Sequence, residues 1–372
     1  MPSGSSYVYN ASVTVPGNTG SLVKTGHTFA GWNTKPDGSG TNYDASNDTF
    51  TIGAADVTLY ANWTANSYEV SFVSNGGTPV SSQTVVFGHP ASKPDDPART
   101  GFTFGGWYAD ENLQTPYAFG TPIGSADIKL YAKWTINRYA VSYDGNGHTG
   151  GNVPAGRSHD FDTPVVVQGN AGSLEKTGHT FAGWNTAADG SGTVYKEGDE
   201  FAIGAADVTL YAVWSVNSYS IAYDGNGNDA GSAPASESHV YDTNVTLPGQ
   251  ESLSKTGHSF DGWNTKADGT GTNYGAGAVF PMGAADMTLY AKWTVNSYTV
   301  TYDGNGASSG SAPADSSHDY NTVVTVEGSG SLVKAGHTFA GWNTKSDGSG
   351  ANYGEHAEFT IGAADVTLYA VW

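Results

Sequence analysis

The sequence predicts a β-rich α+β fold, a tandem array of small modules with at most a short helix each, and three observations carry its β-rich, repeated character. The stretch Gly178-His-Thr-Phe-Ala-Gly-Trp184-Asn-Thr186 has near copies at 26 to 34, 101 to 109, 257 to 265 and 336 to 344. Each copy is followed, 27 to 31 residues after its Trp, by Leu-Tyr-Ala-X-Trp. Apolar and polar residues alternate with period 2 in the stretches between, the pattern of half-buried strands. The signature tryptophans Trp32, Trp107, Trp184, Trp263 and Trp342 recur every 75 to 79 residues, about the length of a small domain. With the closing Trp63, Trp134, Trp214, Trp293 and Trp372 they account for all ten tryptophans, and all ten are expected in the cores. The repeats are then 1–64, 65–135, 136–215, 216–294 and 295–372, the first truncated at its N-terminal side and the second divergent.

Each repeat opens on a strand, as in Tyr139-Ala-Val-Ser-Tyr143, Tyr219-Ser-Ile-Ala-Tyr223, Tyr298-Thr-Val-Thr-Tyr302 and the variant Tyr68-Glu-Val-Ser-Phe72. The first repeat has no such stretch. Asp-Gly-Asn-Gly follows the last three opening strands, residues that tolerate positive φ, so the chain turns there. A Gly/Ser/Pro loop and a second strand such as Val165–Val167 come next. In Gly169–Lys176 and Gly328–Lys334, Ser before a short Leu/Lys run predicts a brief helical turn. The third strand is the signature itself, where Phe181 and Trp184 lie three apart and Gly183 marks a bulge. After a polar Asp-Gly-Ser-Gly turn, the closing strand places Val208, Leu210, Ala212 and Trp214 on one face and Thr209, Tyr211 and Val213 on the other. The first face is core in all five copies. On that assignment Trp214→Ala unfolds its own module and Thr209→Ala does little. Only Thr/Ser-X-Asn separates one closing Trp from the next opening strand, which limits swivelling. An extended semi-rigid rod of roughly 150 Å is expected from five such modules.

Modules this small need efficient cores, and two Trp with several Tyr and Phe per repeat supply them. There is no cysteine, so disulfides, thiolate metal sites and thiol nucleophiles are excluded. Fifteen basic against 35 acidic residues give a formal charge of −20, which repels nucleic acid and anionic lipid. No apolar run approaches the ~18 residues of a membrane helix, and Met1–Ser6 lacks the pattern of a signal peptide. If the natural protein is exported, its signal lies outside this chain.

Polar residues recur with the fold instead of gathering in one constellation, which argues against an enzyme. Two histidines recur in repeats three to five, His159 and His179, His239 and His258, His318 and His337. Phe102 replaces the second of them in repeat two, so packing accounts for it better than metal ligation, and no metal or other cofactor is expected. The Asp-Gly-Asn-Gly turns resemble the start of a calcium loop, but Asp229 and Ala235 stand where an EF-hand needs Gly and Glu. A hairpin turn is the favoured reading, with weak turn-bound calcium left open. The candidate partner-binding residues are Tyr60, Tyr131, Tyr211, Tyr290 and Tyr369 on the outer face of the closing strands, where a tyrosine can stack on a sugar or anchor a protein. The plain alternative is that each is covered within its own module.

Gly-X-Thr/Ser-Phe-X-Gly-Trp followed at a fixed distance by Leu-Tyr-Ala-X-Trp, with the Asp-Gly-Asn-Gly turn, closely resembles the internalin B-repeat family, also called the Listeria-Bacteroides repeat. The resemblance covers essentially the whole chain. It implies small β-grasp-like modules with a mixed sheet and a short helical segment, found in tandem in secreted and surface-attached bacterial proteins. There the repeat serves as stalk or interaction module, with no enzymatic activity. The expected role is a structural spacer and interaction segment of an adhesin-like surface or secreted protein, with a protein or glycan on another cell or in a matrix as partner. A carbohydrate-binding array that uses the tyrosines and Asn/Asp-rich loops is the other reading.

Overall fold

The computed structural model describes residues 1–372. The chain divides into two compact units, one of Met1–Asp144, Pro154–Gly169 and Asn185–Tyr211, the other of Gly145–Val153, Asn170–Trp184 and Ala212–Trp372. The first contains repeats one and two with part of the third. The second contains the remainder of the third with repeats four and five.

Repeat four shows the plan. Its opening strand, Ser218–Asp224, lies between an edge strand, Glu237–Val240, and the closing strand, Met287–Val295. Beyond the closing strand come the signature strand, His258–Asn264, and the short Asn273–Tyr274. Opening and closing strands run parallel, with Ile221 opposite Met287 and Asp224 opposite Tyr290, while every other neighbour is antiparallel. The sheet is therefore mixed, as expected. A separate ribbon pairs Asn244–Thr246 with Val279–Pro281.

The core lies between sheet and ribbon. Ile221, Trp263, Leu289 and Ala291 from the sheet meet Val245 from the ribbon, Leu247 and Met282 directly after its two strands, and Leu253 from a loop, all nearly fully buried. Strict alternation in the closing strand delivers Leu289 and Ala291 to this face. The signature strand needs an adjustment: its register with the closing strand shifts between Phe260 and Trp263. Gly262 takes up that bulge at φ +96°, and a methyl group there would lie 2.3 Å from the carbonyl oxygen of Tyr274. The bulge puts Phe260 edge-on to both Trp263 and Trp293, at 5.3 and 5.7 Å.

Repeat five repeats this sheet order and ribbon. Repeat two has a four-stranded sheet, and its ribbon shrinks to a single bridge between Pro90 and Pro122 because proline has no N–H for a ladder. Repeat one, without an opening strand, has a three-stranded sheet.

Two expectations need correction. The brief helical turn is absent: the described secondary structure is all strand and turn. Ser173 takes φ +51°, which no right-handed helix accepts, and the Asn170 amide bonds both the N–H and the carbonyl of Leu174 at 2.6 and 3.0 Å. A side chain thus satisfies the backbone that a helix would have paired. The stretch read as a Gly/Ser/Pro loop, in turn, contains the edge strand, whose Glu237-Ser-His-Val240 has little β character of its own and is fixed by pairing with the opening strand.

Candidate functional site: the joints between repeats

The most regular constellation in the chain lies where one repeat meets the next. Single asparagines, Asn66, Asn137, Asn217 and Asn296, separate each closing strand from the following opening strand. The backbone N–H of each donates to the carbonyl of Gly26, Gly101, Gly178 or Gly257 in the preceding repeat, at 2.8–2.9 Å. Its own carbonyl accepts from the N–H of Phe87, Phe161, Tyr241 or Tyr320 in the following repeat, at 2.8–2.9 Å. The side-chain oxygen accepts from Thr28, Thr103, Thr180 or Ser259 at 2.6–2.7 Å. One residue thereby bonds both neighbours.

Ring packing completes the joint. Those signature-leading glycines have φ of +68 to +77°, and each lies directly under the aromatic ring of the next repeat. A methyl group there would come within 2.0–2.2 Å of ring carbons. The residue after each glycine, His27, Phe102, His179 or His258, meets the same ring edge-on at 5.4–6.1 Å. This explains why Phe102 can stand in for a histidine: the position supplies a ring, and the histidine Nδ1 turns to the carbonyl two residues back, as in His179 to Thr177 at 2.8 Å. The first recurring histidine of repeats three to five lies on the edge strand, opposite a tyrosine of the opening strand: His159 by Tyr139, His239 by Tyr219 and His318 by Tyr298.

A second constellation was missed in the sequence. Asn264, 1% exposed, donates to Gly269 O, Gly271 O and Asn273 Oδ1 and accepts from the N–H groups of Lys266 and Gly271, at 2.6–3.3 Å. Asn33 and Asn343 do the same in their repeats. The amide fills and fixes the polar loop. Within that loop the Asp37, Asp268 and Asp347 carboxyls are held below the usual range by the N–H of the Ser or Thr two residues on. Repeat two has Tyr108 at the asparagine position, and Asp110 organises its loop through the N–H groups of Gln114 and Thr115. The signals available were the recurrence of Asn directly after the signature Trp and of Asn at each junction.

The candidate tyrosines lie on the face that carries these asparagines: Tyr290 is opposite Asn264 on one side and Asp224 on the other. Tyr131, Tyr211, Tyr290 and Tyr369 are half-buried. Tyr60 is 40% exposed, since its repeat has no opening strand beside it. Trp32, Trp107, Trp184, Trp263 and Trp342 are buried. The closing tryptophans Trp63, Trp134, Trp214, Trp293 and Trp372 are only half-buried. Four of them donate the indole N–H to the turn after the opening strand, as in Trp293 to Gly225 O at 3.0 Å. They seal the core's rim. In the Asp-Gly-Asn-Gly turns the amides of Asn146, Asn226 and Asn305 reach the closing strand at Ala212, Ala291 and Ala370.

Comparison with known proteins agrees with this architecture. The family model of the Listeria-Bacteroides repeat domain matches residues 2–62, 68–133, 139–213, 219–292 and 298–371. Two proteins of Evansella cellulosilytica, described as "Putative membrane protein" and "Putative Gly-rich membrane protein", are 38% and 37% identical over 85% and 90% of this chain. Internalin H of Listeria monocytogenes is 36% identical over 31% of it. The chain spans 45%, 36% and 20% of those three relatives, less than half of each. Five consecutive matches that together take in nearly all its residues show that this chain belongs to the Listeria-Bacteroides repeat family.

Proposed function

We propose that the chain is a structural spacer and interaction segment of a bacterial surface or secreted protein, adhesin-like in role and without catalytic activity. The observation that supports this most directly is the joint, built four times from the same asparagine, glycine and aromatic ring. A segment that only linked functional parts would need no such repetition. One that transmits position from repeat to repeat would. The family membership and the internalin among the relatives support the same reading. We also read the modules as β-grasp-like, on the strength of the mixed sheet with parallel opening and closing strands.

Small-angle scattering tests the spacer role. An extended semi-rigid segment gives a maximum dimension of roughly 150 Å, and a value below about 80 Å overturns the reading. Replacement of the joint residue in Asn217→Ala should broaden the distance distribution while each module keeps its own circular dichroism. A glycan array checks the carbohydrate alternative, and specific binding lost in Tyr60→Ala would favour it.

A further inference from the structure

The chain contains four Asn-Gly dipeptides, at Asn75, Asn146, Asn226 and Asn305, and all four fall in the turn after an opening strand. Asn-Gly is the dipeptide most open to deamidation, because glycine leaves the attacking backbone nitrogen unhindered. Here each asparagine is held in the left-handed region, at φ of 42 to 50°. Each also has its side-chain amide tied down. Asn226 Nδ2 donates to Ala291 O in the closing strand at 2.9 Å and to Ala267 O in the polar loop at 3.0 Å. Asn305 makes the equivalent pair with Ala370 O and Ser346 O, at 2.9 and 3.0 Å. Asn75 and Asn146 reach Ala132 O and Ala212 O at 2.8 and 3.0 Å. The same amide that closes the module is therefore the amide that the reaction removes.

We propose that these four asparagines are latent modification sites, protected while the module is closed and converted to aspartate or isoaspartate when it opens. The backbone nitrogen of Gly227 attacks Cγ of Asn226, a C–N bond forms, the Cγ–Nδ2 bond breaks, and ammonia leaves with the glycine N–H proton. Water then opens the cyclic imide, so that the balance is one water consumed and one ammonia released. The product places a carboxylate against carbonyl oxygens that had received an N–H, a repulsive contact with no donor left. A module that has opened long enough to react cannot close as before, and opening becomes irreversible.

Peptide mapping by mass spectrometry tests this on the intact chain, incubated folded in buffer and unfolded in urea at the same pH and temperature. Loss of amide at the four sites should be at least about tenfold slower in the folded chain, the factor set by a local opening free energy of about 1.4 kcal/mol. Asn226→Asp should raise hydrogen exchange across the repeat-four closing strand by at least about tenfold, through the same 1.4 kcal/mol conversion, and leave repeat two unchanged. Asn228→Asp, which alters an amide that bonds only within its own turn, is the control and should match the native chain. Equal deamidation rates in buffer and urea overturn the proposal, as does native protection in Asn226→Asp or equal loss in both variants.

Discussion

A single proline shows how one residue sets the chemistry of its neighbours. Tyr302 accepts a hydrogen bond from the N–H of Glu327 at 2.9 Å. The equivalent Tyr223 faces Pro248, which has no N–H to give, and its buried hydroxyl has no partner. Burial first, with Glu237 and Glu251 adding repulsion, pushes its pKa up to about 12 from 10.0. Tyr302→Phe should therefore cost about 1 kcal/mol in chemical denaturation, whereas Tyr223→Phe should be neutral or stabilising. The native phenol keeps its proton longer than the unfolded one. Its ionisation thus leaves stability unchanged below pH 10 and lowers it as pH rises from 10 toward 12, a loss that Tyr223→Phe should reduce in alkaline melts. Asn264→Ala removes a buried amide that satisfies a whole loop, at an expected cost of about 2–3 kcal/mol.

Among elements, the two tryptophan-bearing strands carry different loads. Trp263 is fully buried among sheet and ribbon, so Trp263→Ala should cost about 3–5 kcal/mol and open its module. Trp293 covers the rim and should cost visibly less, contrary to the equal core role that the sequence suggested for Trp214 and its counterparts. Calorimetry of the two variants separates these cases. The sequence was legible where alternation or a motif recorded burial directly, as in Leu289 and Ala291 or the bulge at Gly262. It was mute where pairing partners came from far along the chain, as with the edge strand Glu237–Val240. The helical expectation failed because the Asn170 side chain competes for the very backbone groups that a cap would have left to a helix. The joints were readable in length but not in chemistry, since nothing local tells that Asn217 bonds Gly178 and Tyr241 at once.

At the scale of the whole molecule, coupling between repeats should depend on space as much as on hydrogen bonds. Gly178→Ala would drive a methyl group into the Tyr241 ring and also strain a residue at φ +70°. Gly336 has the same sign of φ but open space around it, so Gly336→Ala should pay only the backbone penalty of about 1 kcal/mol. Hydrogen exchange at the Asn217 and Tyr241 amides should rise in the first variant; unchanged exchange there would mean that the ring does not hold the joint. The parallel pairing within each repeat has a mechanical consequence. When the chain is pulled from its two ends, tension enters repeat four at Ser218 and leaves at Val295, along adjacent strands that run in the same direction. The hydrogen bonds between Ile221–Asp224 and Met287–Tyr290 are then sheared together instead of being peeled apart one by one. A ladder loaded in that way yields at higher force than a hairpin unzipped from one end, and single-molecule stretching should show each complete repeat as a discrete, force-resistant step.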